Sequence, residues 1–374
     1  MVKLVWVGNH YDHVIGYSKI TYDILTTLSK DPAIKLYHFG YRRHDTFRRQ
    51  PIKGVSSYVA CESTVHRESL LKGNLVLGED KIERYLEVVK PDVVVFYGEP
   101  GSTAILLKAL PPNRPYKLWA YIDQNYKYVN LSGLQNISRY LIFAKEWRMD
   151  INTPQTVLNH APSAFLKALT AEEVVDAKKH LKIPINAPVF VSINRNNERK
   201  RLDLLLQAWK IYKEGGGAGH LLLHTETGDS AYYHLQTVIM LEKVPFDCLT
   251  ISNGDVSDEV INIYYNVGDY GVNTSNGEGF GIMALEMATL GKPQLALDIG
   301  AYRSYLNDQT AVLLKPTIRN HRKFSDGNGA FTESTSPEAF AEGFRLIQGK
   351  SKPVVNITWD SALEELKREL LRCG

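Results

Sequence analysis

Short apolar runs alternate along the chain with stretches whose apolar positions recur every three or four residues. Residues 93–96 (Val-Val-Val-Phe) are continuously apolar, and 4–7, 34–40, 117–122, 140–143 and 155–158 are strand-like runs of the same kind. A short unbroken apolar run fits a strand buried on both faces, as in a parallel sheet. Between these runs, Ile20, Ile24, Leu25 and Leu28 keep helical spacing, as do Ile82, Tyr85, Leu86, Val88 and Val89, and a further helix is predicted over 102–110. Asn159-His160-Ala161-Pro162-Ser163 interrupts the pattern, and Pro162 makes it a hinge. The pattern then restarts. Strands are predicted at 189–193, 220–225, 249–251, 269–273 and 294–297, and helices at 202–212, 232–241, 258–266 and 337–347. A last helix over 359–371 gathers Ala362, Leu363, Leu366 and Leu370 on one face, and 326–329 (Asp-Gly-Asn-Gly) reads as a loop.

Strands alternating with helices predict an α/β protein built on parallel sheets. The restart predicts two Rossmann-like domains, 1–160 and 161–358, with 359–374 as a terminal helix. At 374 residues the chain can bury two full cores. Its apolar share (44%) and charged share (23%) are ordinary, and a net charge of +3 gives no reason to expect nucleic acid as a partner. The three cysteines, Cys61, Cys248 and Cys373, are scattered, with neither metal spacing nor a disulfide framework. Reduced thiols and a cytoplasmic setting follow as expectations. No run of about 18 apolar residues occurs, so no membrane-spanning helix is predicted.

Candidate chemistry concentrates in residues 273–291. A strand-like run feeds Ser275-Asn276-Gly277-Glu278-Gly279-Phe280-Gly281, and an apolar helical stretch then runs to Gly291, a C-cap signal. Glu278 and Glu286 have seven residues between them. On one continuous helix they would lie about 12 Å apart along the axis and about 80° apart around it, which suits an elongated ligand. Gly279, Phe280 and Gly281 are expected to begin that helix and offer unpaired amides to oxygens or an anion. Glu286 stands within Ile-Met-Ala-Leu-Glu-Met-Ala and needs a partner there.

Four further places carry candidates. The loop 194–201 places Arg195, Arg199, Lys200 and Arg201 after a strand, a cradle for a diphosphate or a solvated charged loop. Asp255 and Val256 follow the strand at 249–251 and are candidates there, although Ser257 or Asp258 as a helix cap is the ordinary reading. In the first half, Gly16 ends a polar loop that opens a helix, and Asp123 follows the strand at 117–122. Ligands in α/β folds sit at such strand ends. Residues 42–49 pack Arg42, Arg43, Arg48 and Arg49 among aromatics. That is a solvated loop, or a contact for a phosphate-bearing acceptor or an anionic membrane surface.

The stretch Glu278-Gly279-Phe280-Gly281, then Leu285-Glu286, then Gly291 and Pro293, resembles the E-x7-E motif of retaining glycosyltransferases with the GT-B fold, in particular family 4. The resemblance covers roughly 188–315 and fades before about 160. It implies two Rossmann-like domains facing a central cleft, with the last helix crossing back to the first domain. It also implies a nucleotide-sugar donor held by the second domain and a glycan or lipid-linked acceptor chosen by the first. On this resemblance Arg195 and Lys200 stabilise the leaving diphosphate, Glu278 holds the sugar, Glu286 the ribose diol, and Asp255 and Val256 lie near the base. The family often has a Gly-Gly pair where this chain has Gly16-Tyr17, and a His where it has Ile122-Asp123; Asp123 is the substitute candidate. The overall look is also similar to compact glycosyltransferases encoded by large algal viruses.

The reaction expected is transfer of a hexose with retention, by a front-side route and without cofactor. GDP-mannose is favoured as donor over UDP-sugars. No Asp-x-Asp triplet occurs, and a metal-independent enzyme is expected. The alternatives are a GT-B epimerase or phosphorylase, for neither of which the chain shows a convincing match, and a non-catalytic sugar-nucleotide binder, which the missing His near Asp123 keeps open.

Overall fold

The computed structural model describes residues 1–13, 15–72, 76–126, 131–228, 231–323 and 329–374. The chain forms two compact units, the first built from Met1–Ser163 with Ile357–Gly374, the second from Ala164–Arg322 with Ala330–Asn356.

In the first unit the order is β1 (Val2–Asn9), α1 (Gly16–Leu28), β2 (Ile34–Tyr41), β3 (Val55–Val59), α2 (Ser63–Leu71), α3 (Glu79–Val89), β4 (Val93–Gly98), α4 (Pro100–Lys108), β5 (Lys117–Ile122), β6 (Arg139–Ile142) and β7 (Gln155–Val157). The seven strands lie in the order β3-β2-β1-β4-β5-β6-β7, and every neighbouring pair is parallel. All six residues of β4 are buried, as its unbroken apolar run requires of a central strand. One face of the sheet, carrying Val5, Val7, Val94 and Phe96, packs under α3 and α4 through Ile82, Leu86, Leu106 and Leu107. Trp6, Tyr97, Tyr121 and Phe143 build an aromatic row, with Tyr97 and Tyr121 stacked at 4.8 Å. The terminal segment is two helices, α11 (Trp359–Ala362) and α12 (Glu364–Leu371), rather than one, because Leu363 closes the first as its C-cap. It belongs to this unit and is tied to it by Arg139–Glu369 at 2.6 Å.

The second unit runs α5 (Ala171–His180), β8 (Val189–Ile193), α6 (Leu202–Glu214), β9 (His220–His224), α7 (Leu235–Glu242), β10 (Leu249–Ser252), α8 (Asp258–Val267), β11 (Tyr270–Asn273), α9 (Ile282–Thr289), β12 (Gln294–Leu297), β13 (Ala311–Leu314), β14 (Ile318–Lys323), β15 (Gly329–Ser334) and α10 (Pro337–Leu346). Six parallel strands lie in the order β10-β9-β8-β11-β12-β13. Pleating splits β8 between two cores: Phe190 joins α6 and α10, while Val189 and Val191 join Tyr264, Met283 and Met287 on the opposite face. Strands β13, β14 and β15 were not expected; β13 is a short apolar run (Ala-Val-Leu-Leu), whereas β14 and β15 carry none. The last two form a separate two-stranded sheet. The loop read over 326–329 lies, except for Gly329, outside the described residues. Among the described residues no helix is long and apolar enough to cross a membrane.

Phe344 sits at the centre of an aromatic cluster, 5.1 Å from Phe190 and 5.3 Å from Trp209, with no exposed surface. Phe344→Ala is expected to cost about 3–5 kcal/mol, the range for emptying such a site. Urea denaturation followed by circular dichroism checks this, and a loss below about 1 kcal/mol would show that the cluster does not hold the sheet to α6 and α10.

Candidate functional site

Strands β8, β9 and β10 proceed to one side of the second sheet and β11, β12 and β13 to the other. The order therefore reverses between β8 and β11, and the loops leaving their C-terminal ends diverge around a crevice suited to a ligand. Both loops are fixed by asparagines. Asn196 is buried, donates to the carbonyls of Glu226 and Tyr233, and accepts from the Tyr233 amide, each at 2.9 Å. Asn197 caps a single 3-10 turn, Glu198–Lys200, and Arg201 ends it in a left-handed conformation. From the other side, Asn273 at the end of β11 accepts from the Ser275 amide at 2.9 Å. The Thr274 hydroxyl donates to the carbonyls of Lys200 and Arg201, and the Asn276 amide to that of Arg199.

This zipper brings Glu278 against the basic turn. The Lys200 ammonium donates to Glu278 Oε2 at 2.5 Å, the Asn273 amide to the same oxygen at 3.2 Å, and Arg199 Nη1 lies 3.5 Å away. Burial by itself would raise the Glu278 carboxyl, but the charges of Lys200 and Arg199 and the hydrogen bonds from Lys200 and Asn273 outweigh it and lower its pKa to about 2. The structure thus brings together two residues chosen from sequence, Glu278 and Lys200, and adds Arg199 and Asn273. Arg195 is exposed instead, with Glu226 as its partner at 3.4 Å. The family resemblance favoured Arg195; the 3-10 turn puts Arg199, beside Lys200, on the carboxylate.

The expected helix geometry needs correction. Helix α9 starts at Ile282, and Glu278, Gly279, Phe280 and Gly281 precede it as a loop. Gly281 breaks the helix because its φ is +83°, and a Cβ there would stand 2.5 Å from the Tyr302 ring. Glu278 and Glu286 are therefore not on one helix, and the on-axis separation does not apply. With Gly281 as N-cap, the amides that α9 leaves without an intrahelical partner are those of Gly281, Ile282, Met283 and Ala284, and Gly279 and Phe280 lie before them. Phe280 is buried and stacks on Tyr305, whose hydroxyl donates to the carbonyls of Phe280 and Gly281 at 3.0 Å. The Ala301 amide donates to Gly279 O, which holds the loop from the turn at Gly300. Glu286 is almost wholly buried within α9, hydrogen-bonded to the Tyr265 hydroxyl. Asp255 is exposed beside Gly254, where φ is +94°; Val256 packs on the core, and Ser257 caps α8. Among the described residues no group of three His, Cys, Asp or Glu side chains is gathered to hold a metal ion.

The first sheet reverses its order between β1 and β4. Gly16 is the exposed first residue of α1. Asp123 follows β5, its amide donating to Gly98 O at 3.0 Å. The Tyr17 hydroxyl and, at 3.1 Å, the Asn125 amide both donate to Asp123 Oδ2. Sequence reading passed over Tyr17, treating it only as a missing glycine. His10 is packed between the Asp12 amide and Ser57 Oγ; burial, then His38 and two arginines, lower its pKa to about 2 and keep it neutral. Arg49 of the 42–49 loop faces inward, and Arg43 is partly covered, more than a solvated loop requires. Arg43 pairs with Glu62, Arg48 donates to the carbonyls of His44 and Phe47, and buried Arg49 to those of Tyr11 and His13. Arg43 and Arg49 thus tie the loop to the chain around it, while Arg48 is exposed and bonds within the loop.

A depressed carboxyl contributes stability above its unfolded value of 4.5 and loses that contribution as pH falls towards about 2. Lys200→Met would leave Glu278 buried with its main cation gone. At pH 7 this is expected to destabilise the protein by about 3–5 kcal/mol, the range for breaking a buried pair. The gap to wild type should narrow below about pH 5 as the variant's carboxyl takes up a proton. Urea melts at pH 7 and pH 4 check this; an equal gap at both would mean that Lys200 does not set the charge of Glu278.

Residues 187–345 match the family model described as glycosyl transferases group 1. No curated protein sequence matches the chain. Among solved structures, sucrose-phosphate synthase from Thermosynechococcus elongatus is similar at TM-score 0.69 and 12% identity, over 100% of both chains. HepE of Anabaena, in complex with UDP and glucose, is similar at TM-score 0.67 and 11% identity, over 99% of each chain. The catalytic domain of starch synthase IV from Arabidopsis thaliana, bound to ADP and acarbose, is similar at TM-score 0.65 and 11% identity, over 100% of this chain and 99% of that one. The second unit carries a group 1 glycosyl transferase domain, the whole chain has the GT-B fold, and the protein is a transferase enzyme of the glycosyltransferase kind.

Proposed function

We propose that the protein transfers a hexose, with retention of anomeric configuration, from a nucleotide-diphosphate sugar to an acceptor hydroxyl on a glycan or lipid-linked sugar. The observation that carries this reading is the buried contact of Lys200 and Arg199 with Glu278 at the β8/β11 crevice. Two cations stand there against one carboxylate. A donor diphosphate draws on Lys200 and Arg199, and the hydroxyls of its sugar draw on Glu278. Those cations stabilise the charge that develops on the leaving phosphate, the work a metal ion does in other transferases, and the reading is metal-independent. Glu286 and the Asp255–Val256 loop serve the nucleoside, and Gly279, Phe280 and Gly281 line the approach to Glu278. Arg195 joins the diphosphate by releasing Glu226, a pair exposed enough to exchange.

In the step itself the bond from the anomeric carbon to phosphate oxygen breaks, and the bond to the acceptor oxygen forms on the same face. The acceptor proton passes to the departing phosphate oxygen, so no protein nucleophile is required. In the first unit Asp123 orients the acceptor hydroxyl, with Gly16 allowing the acceptor close to the start of α1. GDP-mannose is the proposed donor. HepE and the starch synthase were solved with UDP and ADP, so uridine and adenine donors are the alternatives to be tested. A cytoplasmic setting is proposed from the three scattered cysteines of the sequence.

A thermal-shift series with GDP, UDP, ADP and their sugars tests the reading. Binding at a hundredfold excess over the dissociation constant stabilises by about 2.7 kcal/mol, a readable rise in melting temperature. The expected result is a rise with GDP and GDP-mannose that Lys200→Ala abolishes, together with nucleotide release that Glu278→Ala abolishes. A rise with UDP or ADP alone reassigns the donor. No rise with any nucleotide sinks the proposal.

A further inference from the structure

We infer that Tyr17 is the positioning residue for Asp123: its hydroxyl fixes the orientation in which that carboxylate meets the acceptor hydroxyl. The inference rests on the acceptor role proposed above for Asp123. It is carried by the geometry of the first unit.

Tyr17 is the second residue of α1, the helix that follows β1, and Asp123 is the first residue after β5. These strands are not neighbours, because β4 lies between them in the sheet. Two strand spacings are about 9.6 Å. A side chain from the start of α1 reaches the end of β5 only if it is long, and the phenol does so by passing Tyr97 on β4, ring to ring at 5.4 Å. Tyr97 in turn stacks on Tyr121 of β5 at 4.8 Å. The Tyr17 ring is therefore guided by a packed aromatic surface, and its hydroxyl ends on Asp123 Oδ2. A shorter residue at position 17 could not make this link.

Asn125 donates to the same oxygen, and the Asp123 amide is held by Gly98 O. With its backbone anchored and one oxygen bound from two directions, the carboxylate cannot turn about its Cβ–Cγ bond, so the direction of Oδ1 is set. Tyr17 and Asn125 are neutral donors. They orient Asp123 without bringing an opposite charge to it, unlike Lys200, whose ammonium pairs with the Glu278 carboxylate in the second unit. Burial, followed by the charges of Asp123 and Glu99, pushes the Tyr17 phenol well above its ordinary value, so the hydroxyl keeps the proton it donates. The charge of Asp123 also bears on Tyr97 and Tyr121, which stay protonated for the same reason, burial first.

The test uses the full chain and four variants: Tyr17→Phe, Asp123→Asn, the double variant, and Tyr97→Phe as a packing control. GDP-mannose, UDP-glucose and ADP-glucose are supplied in turn with water as acceptor, and release of the nucleoside diphosphate is followed. The expected result is that Tyr17→Phe lowers kcat at least tenfold while donor KM stays within twofold. The double variant should be no slower than Asp123→Asn alone, and Tyr97→Phe should stay within twofold of wild type. Tyr17→Phe at wild-type rate beside a slow Asp123→Asn overturns the inference alone. An equal loss in Tyr97→Phe overturns it as well, since packing would then explain the effect. Full activity in Asp123→Asn removes the acceptor role and the inference together, while nucleotide binding that depends on Lys200 would still stand. No turnover by wild type with any of the three donors overturns the inference, since Asp123 would then direct no hydroxyl at the donor.

Discussion

A carboxylate that is 8% exposed keeps its charge only if cations are brought to it, and Glu278 is such a group. Lys200 is 9% exposed and faces the same demand in the opposite sense. Neither belongs to a regular α-helix or strand. Each is delivered by a loop whose path is fixed by buried asparagines, Asn196 on one side and Asn273 on the other. The side-chain and backbone hydrogen bonds around the crevice can be understood as the cost of holding this pair. Asn276 and Thr274 close the two loops on each other, and Gly281 turns the chain so that α9 begins only after Glu278 has been placed. The sheet beneath provides the crevice by topology alone, since its order reverses between the two strands that carry the loops.

The same reversal occurs in the first sheet, with different chemistry. There the carboxylate is met by a phenol and an amide, and the surroundings are aromatic. One architecture used twice thus gives one place built on compensated charge and another built on oriented neutral donors. That difference is in keeping with the roles proposed for the two places, one towards a diphosphate and the other towards a hydroxyl.

Much of the frame was legible in the sequence. The bounds of β5 and β8 follow directly from their apolar runs, and the buried state of β4 from its lack of any polar residue. Glu278 and Lys200 could be found because the stretch from Glu278 to Pro293, and a lysine a few residues after β8, resemble a known motif. What stayed hidden depends on backbone geometry. Nothing in Gly279-Phe280-Gly281 says which glycine takes a positive φ, and the answer decides whether Glu278 lies on a helix. Arg199 and Arg195 are the same residue type in the same loop, separated only by a 3-10 turn capped by Asn197. The link from Tyr17 to Asp123 joins positions 106 apart in sequence, and no local pattern encodes it. Strands β14 and β15 escaped because their alternation is weak and charged.

The first unit is not contiguous in the chain. Its core is completed by Trp359, Leu363, Leu366 and Leu370, and Arg139 of β6 waits for Glu369. During synthesis these residues leave the ribosome only after the whole of the second unit, whose own last residue is Asn356. The unit made first is therefore the one finished last. The nascent chain must carry a seven-stranded sheet with one apolar surface uncovered while the second unit folds. That interval exposes the protein to misassembly and to chaperones, and it makes a late truncation far more damaging than the small number of residues lost would suggest.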